Sequence, residues 1–287
     1  MTRLISAELF KLWKRSMTRV LLFVLVGIMV LLYLLLLAVS KVTIPAHGPP
    51  EIGAIQNLLG LPVALPFALS ILSSFGSVLA VILIASSVGN EYNWRTIRTM
   101  LICSEGRLRL LSAKLISAGI FILIGMVVGL ATGFIMSLIT TAIGGYAFDF
   151  SFATGGYLWD QFLQFWRTFY VLIPYVLLGF LFAIVGRSAM PGIALGIGVF
   201  FLESIVTALM RLAGGWIAEI PNYLLTANVN AITSLANLPQ GFRAGMGVGN
   251  ASSQMPGLPH AFTTLAIYSL AFIIVAFYLF RKRDVTG

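Results

Sequence analysis

The stretch VLLFVLVGIMVLLYLLLLAVS, Val20 to Ser40, runs 21 residues without a charged side chain. An α-helix rises about 1.5 Å per residue, so roughly 20 apolar residues cross about 30 Å of hydrocarbon, and this stretch is long enough to do so. Working outward from it, five further runs have the same character, approximately Pro62 to Val88, Leu115 to Ile143, Phe169 to Gly186, Pro191 to Met210 and Ala261 to Phe280. Glu203 in the fifth span is the one charge among them. All are rich in Leu, Ile, Val and Phe without strict alternation, which points to helices and away from barrel strands. The fold class expected is an all-α integral membrane protein, a single transmembrane domain over residues 1–287 with six transmembrane helices.

The composition excludes the main alternatives. A chain of 287 residues that is 59% hydrophobic and 9% charged, with mean hydropathy +1.00, is not a soluble globule. Its 18 Lys+Arg against 9 Asp+Glu would suggest nucleic acid in a soluble protein, but charges this sparse cannot both solvate a domain and line a polyanion groove. The basic excess belongs to topology instead. With the N-terminus inside, Arg3, Lys11, Lys14, Arg15, Arg19, Arg95, Arg98, Arg107, Arg109, Lys114, Arg187, Arg281, Lys282 and Arg283 all fall on the cytoplasmic side. Lys41, Arg167, Arg211 and Arg243 fall outside, so a multi-pass protein of the cell membrane with both termini cytoplasmic is expected. The first run is too long and too deep in the chain for a cleaved signal, and reads as an uncleaved anchor.

Little chemistry is available to this chain. Cys103 is the only cysteine and His47 and His260 the only histidines, too few for Cys/His metal cages. There is no Gly-x-x-x-x-Gly-Lys-Ser/Thr phosphate loop, no His-Glu-x-x-His helix and no Gly-x-Ser-x-Gly elbow. The chain is therefore not expected to be an enzyme or to hold a cofactor or metal, and any nucleotide energy has to come from a partner.

The segments between the spans carry pattern. In residues 1–19, Ile5, Leu9, Leu12, Trp13 and Met17 share one helical face, with Glu8, Lys11, Lys14 and Arg15 opposite. This predicts an amphipathic interfacial helix with its cations among anionic headgroups and Trp13 at the boundary of membrane lipids. In the 89–114 loop, Gly89-Asn90-Glu91-Tyr92-Asn93-Trp94-Arg95-Thr96-Ile97-Arg98-Thr99-Met100-Leu101, Asn90 suits an N-cap and Glu91 the first turn of a helix. Trp94, Ile97 and Leu101 then share a face with Arg98 at its rim. Residues alone leave two readings open: a helix lying on lipid, and a docking element for a cytosolic partner.

On the other side, Trp159, Phe162, Leu163, Trp166 and Tyr170 repeat at helical spacing opposite Gln161 and Gln164, which predicts a second interfacial helix forming an aromatic belt. The 211–260 loop holds Pro221, Pro239, Pro256 and Pro259, with Val229, Ile232 and Leu235 as short external or re-entrant helix. A carboxylate at membrane depth costs about 2.5–3.5 kcal/mol on insertion scales, so Glu203 is expected to face the bundle, pinning helices through Arg167 or Arg211 or lining a pathway. Gly125, Gly129, Gly133 and Ser137, and Gly192 with Gly196, form small-residue stripes expected to pack inside the bundle.

Taken in order, Glu8-Leu-Phe-Lys11, the six spans, Glu91-Tyr-Asn-Trp-Arg-Thr96-Ile-Arg-Thr-Met-Leu101, the basic Arg107 to Lys114 and the tail Phe280-Arg-Lys-Arg-Asp284-Val-Thr-Gly287 resemble ABC-2 type transporter permeases. The resemblance covers nearly the whole chain, through degenerate motifs. It implies a permease subunit of an ATP-driven exporter, working with two cytosolic ABC ATPase subunits that hold ATP and Mg, and with a second permease chain, identical or not. Leu9, Lys11, Trp13, Lys14 and Arg15 would then belong to an elbow helix. Glu91, Tyr92, Trp94, Arg95, Thr96, Arg98 and Thr99 would form the short cytoplasmic coupling helix that docks on the ATPase. The cargo implied is amphipathic: a peptide, antibiotic, lipid or glycan. The rival reading from another class is an ion-coupled secondary transporter using Glu203.

Overall fold

A computed structural model of the chain describes residues 1–40, 60–94, 106–144, 150–236 and 256–282. Among the described residues every regular element is a helix. In order these are α1 (Thr2–Lys14), α2 (Ser16–Ser40), α3 (Leu61–Asn93), α4 (Arg107–Gly144), α5 (Gly155–Gly186), α6 (Ala189–Ala213), a 3-10 segment (Gly215–Tyr223), α7 (Leu225–Thr233) and α8 (Leu258–Lys282). Six of them, α2 to α6 and α8, are long and apolar enough to cross a membrane. This is a multi-pass helical membrane protein.

Each expected span is found, and its helix runs past the apolar run at one or both ends. Hydropathy marks where the chain is oily, whereas backbone hydrogen bonding continues through polar residues until something stops it. The largest difference is α5. The interfacial helix expected ahead of the fourth span is its first half, because no breaker lies between Tyr157 and Tyr170. Thr154 caps it, its hydroxyl accepting the backbone N–H of Tyr157 at 3.3 Å. Trp159, Phe162 and Trp166 face outward, and Gln161 and Gln164 are buried against the bundle. In a bilayer the aromatic face is the outer one.

α3 is the axis of the bundle, packing against α5, α4, α6 and α2. Small residues allow the approach. A Cβ at Gly133 would stand 2.6 Å from Cβ of Ala68, one at Gly129 2.7 Å from Cδ2 of Leu72, and one at Gly196 2.6 Å from Cγ1 of Val81. Gly192 is similarly closed in by Ala85 and Ala183, each 2.9 Å away. These four positions are internal packing positions, as the stripes predicted, but Gly125 is not: no described neighbour lies within 4 Å. Pro66 lies inside α3 and has no N–H for the carbonyl of Pro62. That carbonyl is taken instead by the hydroxyl of Tyr157, which donates to it at 2.8 Å.

The tightest approach is at Gly89. The turn joining α5 to α6, where Arg187 takes the left-handed conformation at φ 49°, lies directly on it. A methyl there would overlap the backbone of Ser188 and Ala189. Backbone atoms cannot yield as a flexible side chain can, so Gly89→Ala should cost about 1–3 kcal/mol through overpacking. It is expected to lower the melting temperature in detergent. Gly27→Ala, where nothing lies within 4 Å, should leave it unchanged or slightly raised.

Candidate functional site

Five charged side chains meet where α1, the end of α3 and the start of α4 come together. Lys114 is 4% exposed, Glu8 5% and Glu91 0%. Lys114 Nζ donates to Glu8 Oε2 at 2.9 Å and to Glu91 Oε1 at 2.5 Å. Lys11 Nζ donates to Glu8 Oε1 at 2.6 Å and to Glu91 Oε1 at 3.1 Å. Arg15 brings Nη2 to 3.5 Å from Glu91 Oε1 and donates through Nη1 to the carbonyl of Ser87 at 3.2 Å. Two carboxylates thus share three cations, and each of the three helices supplies at least one member. Burial alone would push the Glu8 carboxyl up, but the Lys114 and Lys11 ammoniums outweigh it and hold the group below its usual range.

The cluster corrects two expectations. Glu91 does not open a separate helix behind an Asn90 cap; it lies in the last turn of α3, buried and ion-paired, with Tyr92 half-buried beside it. It is not exposed for a partner protein. The charged side of α1 does not lie among headgroups as expected. Glu8 is buried together with Leu12, while Phe10 and Trp13, and Met17 at the start of α2, are exposed, Trp13 still meeting Phe121 edge-on at 6.4 Å. Leu9 and Arg15 are half-buried and Lys14 is exposed. The physical reason is common to both: an ion can leave water only among counter-ions, and those lie in the protein, so the charged side of α1 turns inward.

Trp94 follows Asn93 at the end of α3, 62% exposed, with the Arg15 guanidinium 5.6 Å from its ring centre. Arg95, Thr96, Arg98 and Thr99 lie outside the described residues. Lys11 and Arg15, assigned by sequence to headgroups, are thus joined to Glu91 and Trp94. The partner of Glu91 across the cluster, Lys114, was quoted only as part of a basic run. Nothing local to either residue signals the pairing.

At the opposite end of the bundle, Glu203 of α6 is half-buried and accepts the backbone N–H of Thr226 at 2.8 Å. It therefore caps α7, whose own N-cap, Leu224, has no side-chain acceptor. Asn228, fully buried, secures the joint by donating to the carbonyls of Asn222 at 2.9 Å and Leu224 at 2.7 Å. Among the described residues Glu203 forms no ion pair with Arg167 or Arg211, so it pins α6 to α7 and does not tie the fourth span to the fifth. The reason is that a helix N-terminus offers unsatisfied N–H groups and a favourable dipole without a buried cation. The apolar pieces expected in the 211–260 loop appear here, with Val229 and Ile232 on the buried face of α7. Among the described residues no group of three His, Cys, Asp or Glu could hold a metal.

A six-span helical membrane protein with an ionic knot at one end is the class these features define. Residues 54–286 match the family described as a protein of unknown function, DUF2705, and the chain belongs to that family. It is also 24% identical over 217 residues to a protein of Bacillus subtilis (strain 168) described as "Uncharacterized protein YhcI". The match covers 72% of this chain and 64% of that relative's length.

Two outcomes follow from this geometry. A carboxylate held below its ordinary value of 4.5 contributes stability that is complete above that value and is lost as pH falls through its lowered folded value. Thermal melts between pH 7 and pH 3 should therefore show an acid-side loss that Glu8→Gln flattens, with the variant already less stable at neutral pH. Glu203→Gln should weaken the cap of α7 by about 0.5–2 kcal/mol. Hydrogen exchange should rise over residues 225–233 and stay unchanged in α1; uniform exchange in both variants and wild type would contradict the cap.

Proposed function

We propose that this chain is the transmembrane permease subunit of an ATP-driven exporter of the ABC-2 type, lying in the cell membrane with both termini cytoplasmic. The observation that carries the reading is the cluster of Glu8, Lys11, Arg15, Glu91 and Lys114. It clamps α1 to the two helices that flank residues 95–105, so a force applied to that connection reaches three helices together. An ATP-powered partner requires a mechanically stiff attachment of this kind, because rigid-body motion passes only through elements that do not yield locally.

The residues divide into two sets under this reading. Glu91 and Tyr92 face inward and hold the attachment. Trp94, Arg95, Thr96, Arg98 and Thr99 supply the contact with a cytosolic ABC ATPase, two copies of which bind ATP and Mg and close on each other. A second permease chain completes the pathway, and closure of the ATPases tilts α3 and α4 to switch an amphipathic cargo's access from the inner leaflet to the outside. No bond is made or broken in this chain. Ion-coupled exchange through Glu203 is less well supported, because one oxygen of that carboxylate is already committed to capping α7.

The test is purification of the tagged chain from its own membranes in mild detergent, with mass spectrometry for a stoichiometric ATPase and an ATP-turnover assay. Recovery of such an ATPase is expected. It should be lost in Trp94→Ala/Arg98→Glu while the melting temperature stays that of the wild type. Repeated recovery of the chain alone, without turnover, would overturn the reading.

A further inference from the structure

A groove of about 60 Å³ lies between α2, α3 and α4 and reaches Leu172 of α5. Its walls are almost wholly apolar, among them Leu22, Leu25, Leu83 and Phe121, and two glycines, Gly76 and Gly125, line it.

The glycines show that the space is specific. Gly129 and Gly133 continue the stripe begun by Gly125, and their missing side chains admit Leu72 and Ala68 of α3. Gly125 admits nothing: no described atom lies within 4 Å of where its Cβ would stand. Gly76 has only Leu172 Cδ2 at 3.9 Å. Glycine is disfavoured inside a helix relative to alanine, and here the usual compensation of close helix packing is absent. An apolar space within a bilayer is filled by something apolar.

The position of the groove identifies its occupant. Phe121 to Gly125 stand seven to eleven residues beyond Lys114 on α4, about 10–17 Å along the helix, whereas one leaflet contributes about half of a 30 Å hydrocarbon core. The Trp13 ring stands 6.4 Å from that of Phe121, one of the lining residues. Lys14 adjoins Trp13, and Arg19 stands one turn before Leu22; both are exposed. Lys14 lies over the Phe10 ring at 5.6 Å and Arg19 reaches the carbonyl of Lys14 at 3.5 Å, and among the described residues neither meets a carboxylate. An apolar slot at leaflet depth, with two cations that meet no carboxylate close by in the chain, fits one molecule well.

We propose that the groove seats an acyl chain of an anionic phospholipid from the surrounding bilayer, whose phosphate is held by Lys14 and Arg19. The site is independent of the exporter reading. A lipid here wedges between α2 and α4 beside the ionic knot, and the anionic headgroup supplies the charge that Lys14 and Arg19 lack.

The experiment is native mass spectrometry of the purified full chain with dioleoyl phosphatidylglycerol and dioleoyl phosphatidylcholine added in equal amounts. One phosphatidylglycerol should be retained in preference to phosphatidylcholine, by about fivefold for each of the two cations. Lys14→Gln/Arg19→Gln should abolish the preference and leave phosphatidylcholine retention unchanged. Gly125→Leu starts from a Cβ with no described neighbour within 4 Å, occupies the slot and should lose the retained lipid. Equal retention of the two lipids by the unsubstituted chain would overturn the proposal whether or not a variant folds. So would full phosphatidylglycerol retention by a Gly125→Leu protein that elutes and melts like the wild type.

Discussion

Two carboxylates buried where three helices meet constrain the rest of this structure. An ion taken out of water without a partner loses several kcal/mol, so Glu8 and Glu91 can lie at that junction only with Lys11, Arg15 and Lys114 in place. The dependence runs in every direction. Withdrawing α1 would take Glu8 from Lys114 and Lys11 from Glu91, and separating α3 from α4 would break the shortest pair. The orientation of α1 follows from this. Its charged side faces the bundle, supported by the Ser117 hydroxyl on the Ile5 carbonyl at 3.3 Å, and its aromatic side is left outside.

A steric constraint acts on the same turn of α3. Gly89 lies two residues before Glu91 and bears the α5–α6 turn directly on its backbone. Electrostatics therefore fixes one side of the end of α3 and backbone contact fixes another. At the far end of the bundle a different solution meets a similar need. There a half-buried carboxylate on α6 is placed against the N-terminus of a short helix, so that it takes an orphan N–H group without any cation. Both ends of the molecule are thus organised by where a buried charge finds its complement.

The six spans were legible because spanning depends on composition within one contiguous run, which needs no knowledge of partners. Helix ends were less so: Asn90-Glu91 has the local form of a helix start, yet α3 is already helical there and continues. What placed Glu91 was Lys114, 23 residues later, and Lys11, 80 residues earlier, and no local pattern carries that information. The period of α1 was readable, but not its facing. A 3.6-residue period separates two faces without saying which meets protein, and in a bilayer the apolar one belongs to lipid. Gln161 and Gln164 repeat that lesson on α5, where the residues that sequence places on the polar outside are the buried ones. The membrane depth of Glu203 signals a group that needs a partner, but the partner is a backbone N–H of α7, which in the sequence is only a short apolar fragment.

The clamp and the axis together explain how one end of the molecule can act on the other. α3 is 33 residues long, about 50 Å at 1.5 Å per residue, and it is held at its Asn93 end by ion pairs and by Gly89. Its interruption lies near the other end, at Pro66, where a missing hydrogen bond makes a helix easiest to bend. The carbonyl freed there is not left to water or lipid but is bound by Tyr157 of α5. Under the proposed exporter reading, a displacement entering at Trp94 would meet no proline in α3 until it had travelled most of the helix. It would then reach the end of α3 where the half-buried Tyr157 of α5 holds the Pro62 carbonyl, a neutral hydrogen bond easier to exchange than the ionic knot. Stiffness at one end and compliance at the other is the arrangement the proposed function would need to turn a push on one short connection into a change of helix tilt.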